Sequence, residues 1–148
     1  LQQEVAPFEV LTGNTVAFAI VDLVARVEGF LTSQNYVDGS FVKKGDLLFT
    51  IEQTMYKAKV KEAQAQLDGA KASLVQAEAE FTRQETLLRQ NVSAQNTFDQ
   101  AKAKRDNARA NVENAEGNLT IAQTNLSYTT VTAPFDGVVS KHLVSVGE

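Results

Sequence analysis

The chain has 148 residues, 43% of them hydrophobic and 22% charged, with only 8 glycines and 2 prolines. This balance excludes a collagen-like chain, a proline-rich linker and a strongly disordered polyampholyte, and it predicts a protein that folds. With 14 basic against 18 acidic side chains the net charge is −4, so there is no cationic surplus for phosphate groups and nucleic acid is not an expected partner.

The first expected unit, residues 1–19, contains the segment Glu9 to Val16, which reads as a strand of a module completed by other sequence. The longest apolar run, Val16 to Ala25, is interrupted by Asp22 and reaches about half of the roughly 20 residues that a membrane-crossing helix needs. Any signal peptide or membrane span that the protein has is therefore expected outside this stretch of sequence.

The second unit, residues 20–52, contains short β-rich pieces punctuated by Asp38-Gly39 and Lys44-Gly45-Asp46, the signature of strands joined by tight turns.

Residues 53–127 change character, being rich in Ala, Gln, Glu, Lys, Asn and Leu, which form helices readily. Large apolar residues return every seventh position at Val60, Leu67, Leu74, Phe81 and Leu88, with Ala63, Ala70 and Ala77 at the alternate seam positions. A second series follows: Phe98, Arg105, Val112, Leu119 and Leu126, alternating with Ala101, Ala108, Ala115 and Ala122. Only the short segment Gln90 to Gln95 separates the two series, so the second helix must run back along the first as an antiparallel hairpin. The charged residues off the seam, among them Lys57, Lys61, Glu62, Lys71, Glu78, Glu80, Arg109 and Glu113, are expected to face solvent. Gly69 and Gly117 also lie off the seam and are expected either to mark close contact with a neighbouring chain or to be neutral. Arg105 alone places a charge at a large seam position and is expected to snorkel or to pair with Glu78, Glu80 or Glu85, fixing register.

After the hairpin, residues 128–148 return to the earlier pattern. Gly29-Phe30-Leu31 and Gly137-Val138-Val139 are matched, each followed at equal distance by another glycine, Gly39 or Gly147, and preceded by Val27 or Phe135. Two such half-motifs predict a pseudo-symmetric β-sandwich whose strands interleave, with the hairpin inserted between its halves. The second half lacks a counterpart of Ser40 to Ile51, so it is expected to be truncated here. The fold class expected is α+β.

Candidate chemistry is sparse. The absence of cysteine removes thiolate nucleophiles, disulfides and cysteine zinc sites, and His142 is the only histidine. His142 falls in an expected strand of the second half-motif and reads as a surface or edge residue; no catalytic residue, metal or cofactor is expected, and the chain reads as a non-enzyme. The lone Met55 argues against a methionine-based copper or silver site.

Ala25-Arg26-Val27-Glu28-Gly29-Phe30-Leu31, the run from Asp38 to Phe49, the Ala/Gln-rich hairpin and Val131-Thr132-Ala133-Pro134-Phe135-Asp136-Gly137-Val138-Val139 together resemble the periplasmic adaptor, or membrane fusion protein, family of tripartite RND-type efflux pumps (AcrA/MexA-like). The resemblance spans almost the whole chain. It implies a coiled-coil hairpin inserted into a lipoyl-like β-sandwich, with most of the barrel and membrane-proximal modules elsewhere, so that residues 1–19 would belong to one of them. It also implies a periplasmic protein, held at the inner membrane by sequence outside this chain and hexameric in the assembled pump. Such a protein joins an inner-membrane transporter, the RND type favoured, to a TolC-like outer-membrane channel. Arg83, Leu87 and Ser93 match the residues by which the family's hairpin tip docks onto the channel, although the family's serine falls where Ala94 stands and Ser93 is one position early. Spacing independently puts Leu87 beside the seam residue Leu88 and one helical turn from Arg83 on a shared outer stripe.

The principal alternative is an adaptor of an ABC exporter or type I secretion system. A plain coiled-coil tether without a transport role is less favoured because of the β half-motifs. A lipoyl or biotin carrier domain is also less favoured: Glu52-Gln53-Thr54-Met55-Tyr56-Lys57 has a carrier-like lysine, but at the wrong spacing and at the start of a long insertion.

Overall fold

The computed structural model describes residues 12–92 and 94–147. In chain order the elements are β1 (Leu31–Gln34), β2 (Phe41–Val42), β3 (Leu47–Ile51), α1 (Thr54–Arg89), α2 (Gln95–Ser127), β4 (Thr130–Thr132) and β5 (Gly137–Val138). The strand expected at Glu9 to Val16 lies partly outside the described residues, and residues 12–30 form neither helix nor strand.

The two helices dominate. At 36 and 33 residues they make a finger about 50 Å long at ~1.5 Å of rise per residue. The seam read from the sequence is the buried stripe: Ala63 and Leu67 on α1 face Ala101, Ala108, Val112 and Ala115 on α2. Their direction follows from two contacts. Leu67, early in α1, packs with Val112 and Ala115, late in α2, whereas Phe81 meets Phe98 with ring centroids 5.3 Å apart. The arms are antiparallel. Because two helices can cover each other on one side only, Val60, Leu74, Phe81 and Leu88 remain half-buried and the alanines are hidden more completely than most of the larger residues.

Arg105 corrects an expectation. Its guanidinium lies 4.0 Å above the Phe81 ring and bonds the Asp106 carboxylate at 2.7 Å, so none of the three glutamates on α1 is its partner. The ring face supplies a cation–π contact across the seam, and the sequence neighbour neutralises the charge without bending the side chain away from it.

At the root, the flanks pair with each other. Strand β3 bonds β1 on one side and β4 on the other, all antiparallel, and β2 pairs with β5 through Phe41 opposite Val138 and Val42 opposite Gly137. Strands before the hairpin thus pair with strands after it, as the matched half-motifs require. The expected sandwich is present among the described residues only as these two small antiparallel sheets. The turns fall where the sequence placed them: Ser40 N–H donates to the Val37 carbonyl and Asp46 N–H to the Lys43 carbonyl. Leu48, 1% exposed, centres the small core with Val42 and Ala133; Tyr36 and Phe49, edge to face with each other at a centroid distance of 5.2 Å, pack against it.

Gly29 enters this body with φ of 150°, and a Cβ there would stand 2.8 Å from Cγ2 of Ile51. Only glycine accepts both that backbone and that approach, which explains its place at the head of the first half-motif.

Candidate functional site

The hairpin tip is built by the way α1 stops. Asn91 adopts the left-handed conformation with φ of 56°. Its N–H donates to the Leu88 carbonyl and that of Val92 to the Leu87 carbonyl, at 3.0 and 2.9 Å. This pair of bonds is a Schellman cap, and asparagine is one of the few residues that tolerates the left-handed position without a large steric cost. The chain then turns within a few residues and re-enters helix at Gln95, the first turn closing on the Ala94 carbonyl through Thr97 N–H.

Of the three residues assigned to the tip, Arg83 is exposed and bonds Glu80 at 2.9 Å on its own helix. Leu87 is half-buried at the flank of the seam, one turn further along the same stripe, and Ser93 lies outside the described residues. Val92, 72% exposed, adds an apolar side chain at the end of the finger. The tip therefore offers apolar surface beside a guanidinium, with the backbone already satisfied by the cap. Such a surface is suited to binding another helix.

At the opposite end, a polar joint that spacing did not reveal holds the hairpin's two ends together. The Gln53 side-chain amide donates to the hydroxyls of Thr129 and Thr130 at 3.0 and 3.1 Å. Thr129 is fully buried; its hydroxyl donates to the Leu126 carbonyl and its own carbonyl accepts Ile51 N–H at 2.8 Å. Tyr56 closes the joint by donating to the Glu28 carbonyl at 2.7 Å. These partners are far apart in sequence, so no local motif announces them.

His142 is not in a strand, contrary to expectation, because β5 ends at Val138. Its Nδ1 stands 2.9 and 3.1 Å from the two Asp38 carboxylate oxygens, tying the second flank to the Asp38-Gly39 turn of the first. The hydrogen bond from His142 outweighs the small desolvation penalty and holds the Asp38 carboxyl below its ordinary value, with the charges of His142 and Lys141 acting in the same direction. Burial, and then the Asp38 charge, pushes the Tyr36 phenol up. For a carboxyl whose folded-state pKa is depressed, the stabilisation is complete above the unfolded value of about 3.9 and is lost as pH falls through the folded one. Asp38→Asn is thus expected to lower stability at neutral pH, and its difference from wild type should shrink below about pH 4. Unfolding midpoints measured against pH check this; a difference that persists unchanged at low pH contradicts it.

Lys57, the carrier-like lysine, sits in the first turn of α1, where its N–H bonds the Gln53 carbonyl at 2.8 Å. It is not on an exposed hairpin turn. Among the described residues no group of three or more His, Asp or Glu side chains could hold a metal, and no helix is long and apolar enough to cross a membrane.

Comparison with known proteins agrees with this geometry. Residues 59–129 match the family model described as the RND MFP alpha-helical hairpin domain. The chain is 40% identical over 131 residues to the efflux pump periplasmic linker BepD of Brucella suis biovar 1 (strain 1330), covering 88% of this chain and 33% of that protein. It is 32% identical over 137 residues to the multidrug resistance protein MdtE of Escherichia coli (strain K12), covering 93% of this chain and 36% of that one. The chain thus spans about a third of the length of the curated relatives it matches. Among solved structures, ZneB from Cupriavidus metallidurans superposes with a TM-score of 0.55 at 25% identity, over 80% of this chain and 51% of that one. With its antiparallel finger, its flanks paired at the root and its matched hairpin segment, the chain belongs to the membrane fusion protein family of periplasmic adaptors.

Proposed function

We propose that this chain is the central part of a periplasmic adaptor that links an inner-membrane RND efflux transporter to a TolC-like outer-membrane channel, self-associating as a hexamer and docking through Arg83, Leu87 and Ser93 at the hairpin tip. The observation that carries this reading is the tip itself: a finger of two helices 36 and 33 residues long ends in a capped turn with Leu87 and Arg83 on one outer stripe. A long, narrow hairpin held only at its root is a reach device; it delivers a small helix-binding end far from the body that anchors it.

In this reading residues 20–52 and 128–148 are the two halves of a lipoyl-like sandwich, residues 53–127 are the hairpin, and residues 1–19 enter a barrel or membrane-proximal module. The exposed Phe41 and Val138, paired on β2 and β5, are the apolar surface that the rest of the sandwich would cover. The protein acts by connecting, not by catalysis, in the periplasm and anchored at the inner membrane by sequence outside this chain.

The RND assignment, favoured by the family description matched by the hairpin, has a direct test. Export that depends on this protein should stop when a protonophore collapses the proton gradient while cellular ATP is maintained. Export that continues under those conditions would place the adaptor with an ATP-driven transporter instead.

A further inference from the structure

The cap that ends α1 does more than satisfy the backbone. The bond from Val92 N–H to the Leu87 carbonyl, at 2.9 Å, draws residue 92 back over the last turn of the helix. In a Schellman cap these are the two positions whose side chains frequently meet when both are apolar, and here they are valine and leucine. Most of Val92 stays uncovered all the same, at 72% exposed, and Leu87 is only half-buried. A tight turn facing water is normally built from Gly, Asn, Asp, Ser or Pro, so turn chemistry does not account for a valine at this place. The end of the finger is a blunt apolar knob.

Asn91 gives the knob its shape. It is the only non-glycine residue at positive φ among the described residues, and its left-handed step turns the chain so that Val92 N–H reaches Leu87. Glycine adopts such a backbone freely, whereas a β-branched residue there is a genuine outlier. The charges around the knob are already answered on the same helix: Arg83 pairs with Glu80 at 2.9 Å and Arg89 with Glu85 at 2.8 Å. An apolar centre with a rim of paired charge fits a neutral apolar crevice better than an acidic patch.

We propose that Val92 is a further docking residue of the tip and that Asn91 is a positioning residue that holds it beside Leu87, so that the pair enters an apolar crevice between helix ends of the channel as one preformed knob. The inference rests on the tip docking in the proposed function and adds the residues that shape the contact. Because the turn is already capped, little ordering remains to be done on binding.

Cross-linking in intact cell envelopes tests it with the full-length protein and a candidate TolC-like channel carrying cysteines at its periplasmic end. Val92→Cys is expected to give channel adducts at a yield comparable to Leu87→Cys. In the Leu87→Cys background Asn91→Val should lower the adduct about tenfold, the size of a left-handed penalty for a residue with a Cβ, and Asn91→Gly should leave it unchanged. Helix content by circular dichroism should be the same in both, since the seam core of Leu67, Val112 and Ala115 lies towards the root. Adducts from Leu87→Cys with none from Val92→Cys would overturn the role of Val92 and leave tip docking standing; no adduct from either would sink both. Equal yields from Asn91→Val and Asn91→Gly would overturn the positioning role, and so would a loss of helix content in Asn91→Val, which would make Asn91 a folding residue.

Discussion

Under the proposed docking, Leu87→Asp is expected to abolish the export that depends on this protein, returning the strain to the phenotype of the deletion, while the hairpin stays folded. Leu87 contributes to the cap through its backbone carbonyl, which accepts Val92 N–H, and that bond survives a change of side chain. Its side chain is only half-buried within the hairpin, so the fold loses little when it becomes polar. At a docked helix surface the same substitution would bury a carboxylate with no partner, a cost of about 3–5 kcal/mol, enough to lower affinity by two orders of magnitude or more. Leu87→Met, similar in volume and apolar, should retain most transport. The measurement is export alongside circular dichroism and protein level; normal efflux from Leu87→Asp at normal expression would remove the tip from the account.

The largest effect on stability is expected from Leu67→Ala. Leu67 is 4% exposed and packs with Val112 and Ala115 across the seam. Truncation removes its transfer free energy and leaves a void beside alanines too small to fill it, which costs about 2–5 kcal/mol. Leu74 is half-buried against the same cluster, so Leu74→Ala should cost clearly less. Unfolding followed by helix signal in denaturant gives both values. If the two variants proved equal, the seam would not have its buried centre at Leu67.

Much of this architecture was legible in the sequence because it is periodic. The seven-residue recurrence from Val60 to Leu126 fixed both the buried stripe and, with the short connection after Leu88, the antiparallel course of the arms. The turns at Asp38-Gly39 and Lys44-Gly45 were readable because few residues suit those backbones. What escaped depends on partners distant in sequence: Gln53 with Thr129, Tyr56 with Glu28, and His142 with Asp38 are each joined only by the fold. Arg105 escaped for the opposite reason. Heptad spacing points a seam charge to acids on the facing helix, whereas its partners are the immediate neighbour Asp106 and the face of Phe81.

The tip was readable only in part. Helical spacing put Arg83 and Leu87 on one stripe, but the left-handed Asn91 that ends α1 is a backbone property no periodic pattern reports.

The most direct test of the claim that the finger's far end grips a partner is a cysteine scan along α1 in the full-length protein, the 148 residues here having no cysteine of their own. Single substitutions at Arg83, Leu87, Lys71 and Lys57 sample the arm from tip to root, and each is cross-linked in intact envelopes to a candidate TolC-like channel carrying cysteines at its periplasmic end. The account predicts channel adducts from Leu87→Cys and Arg83→Cys and none from Lys57→Cys at the root. Adducts from Lys57→Cys with none from Leu87→Cys would contradict it.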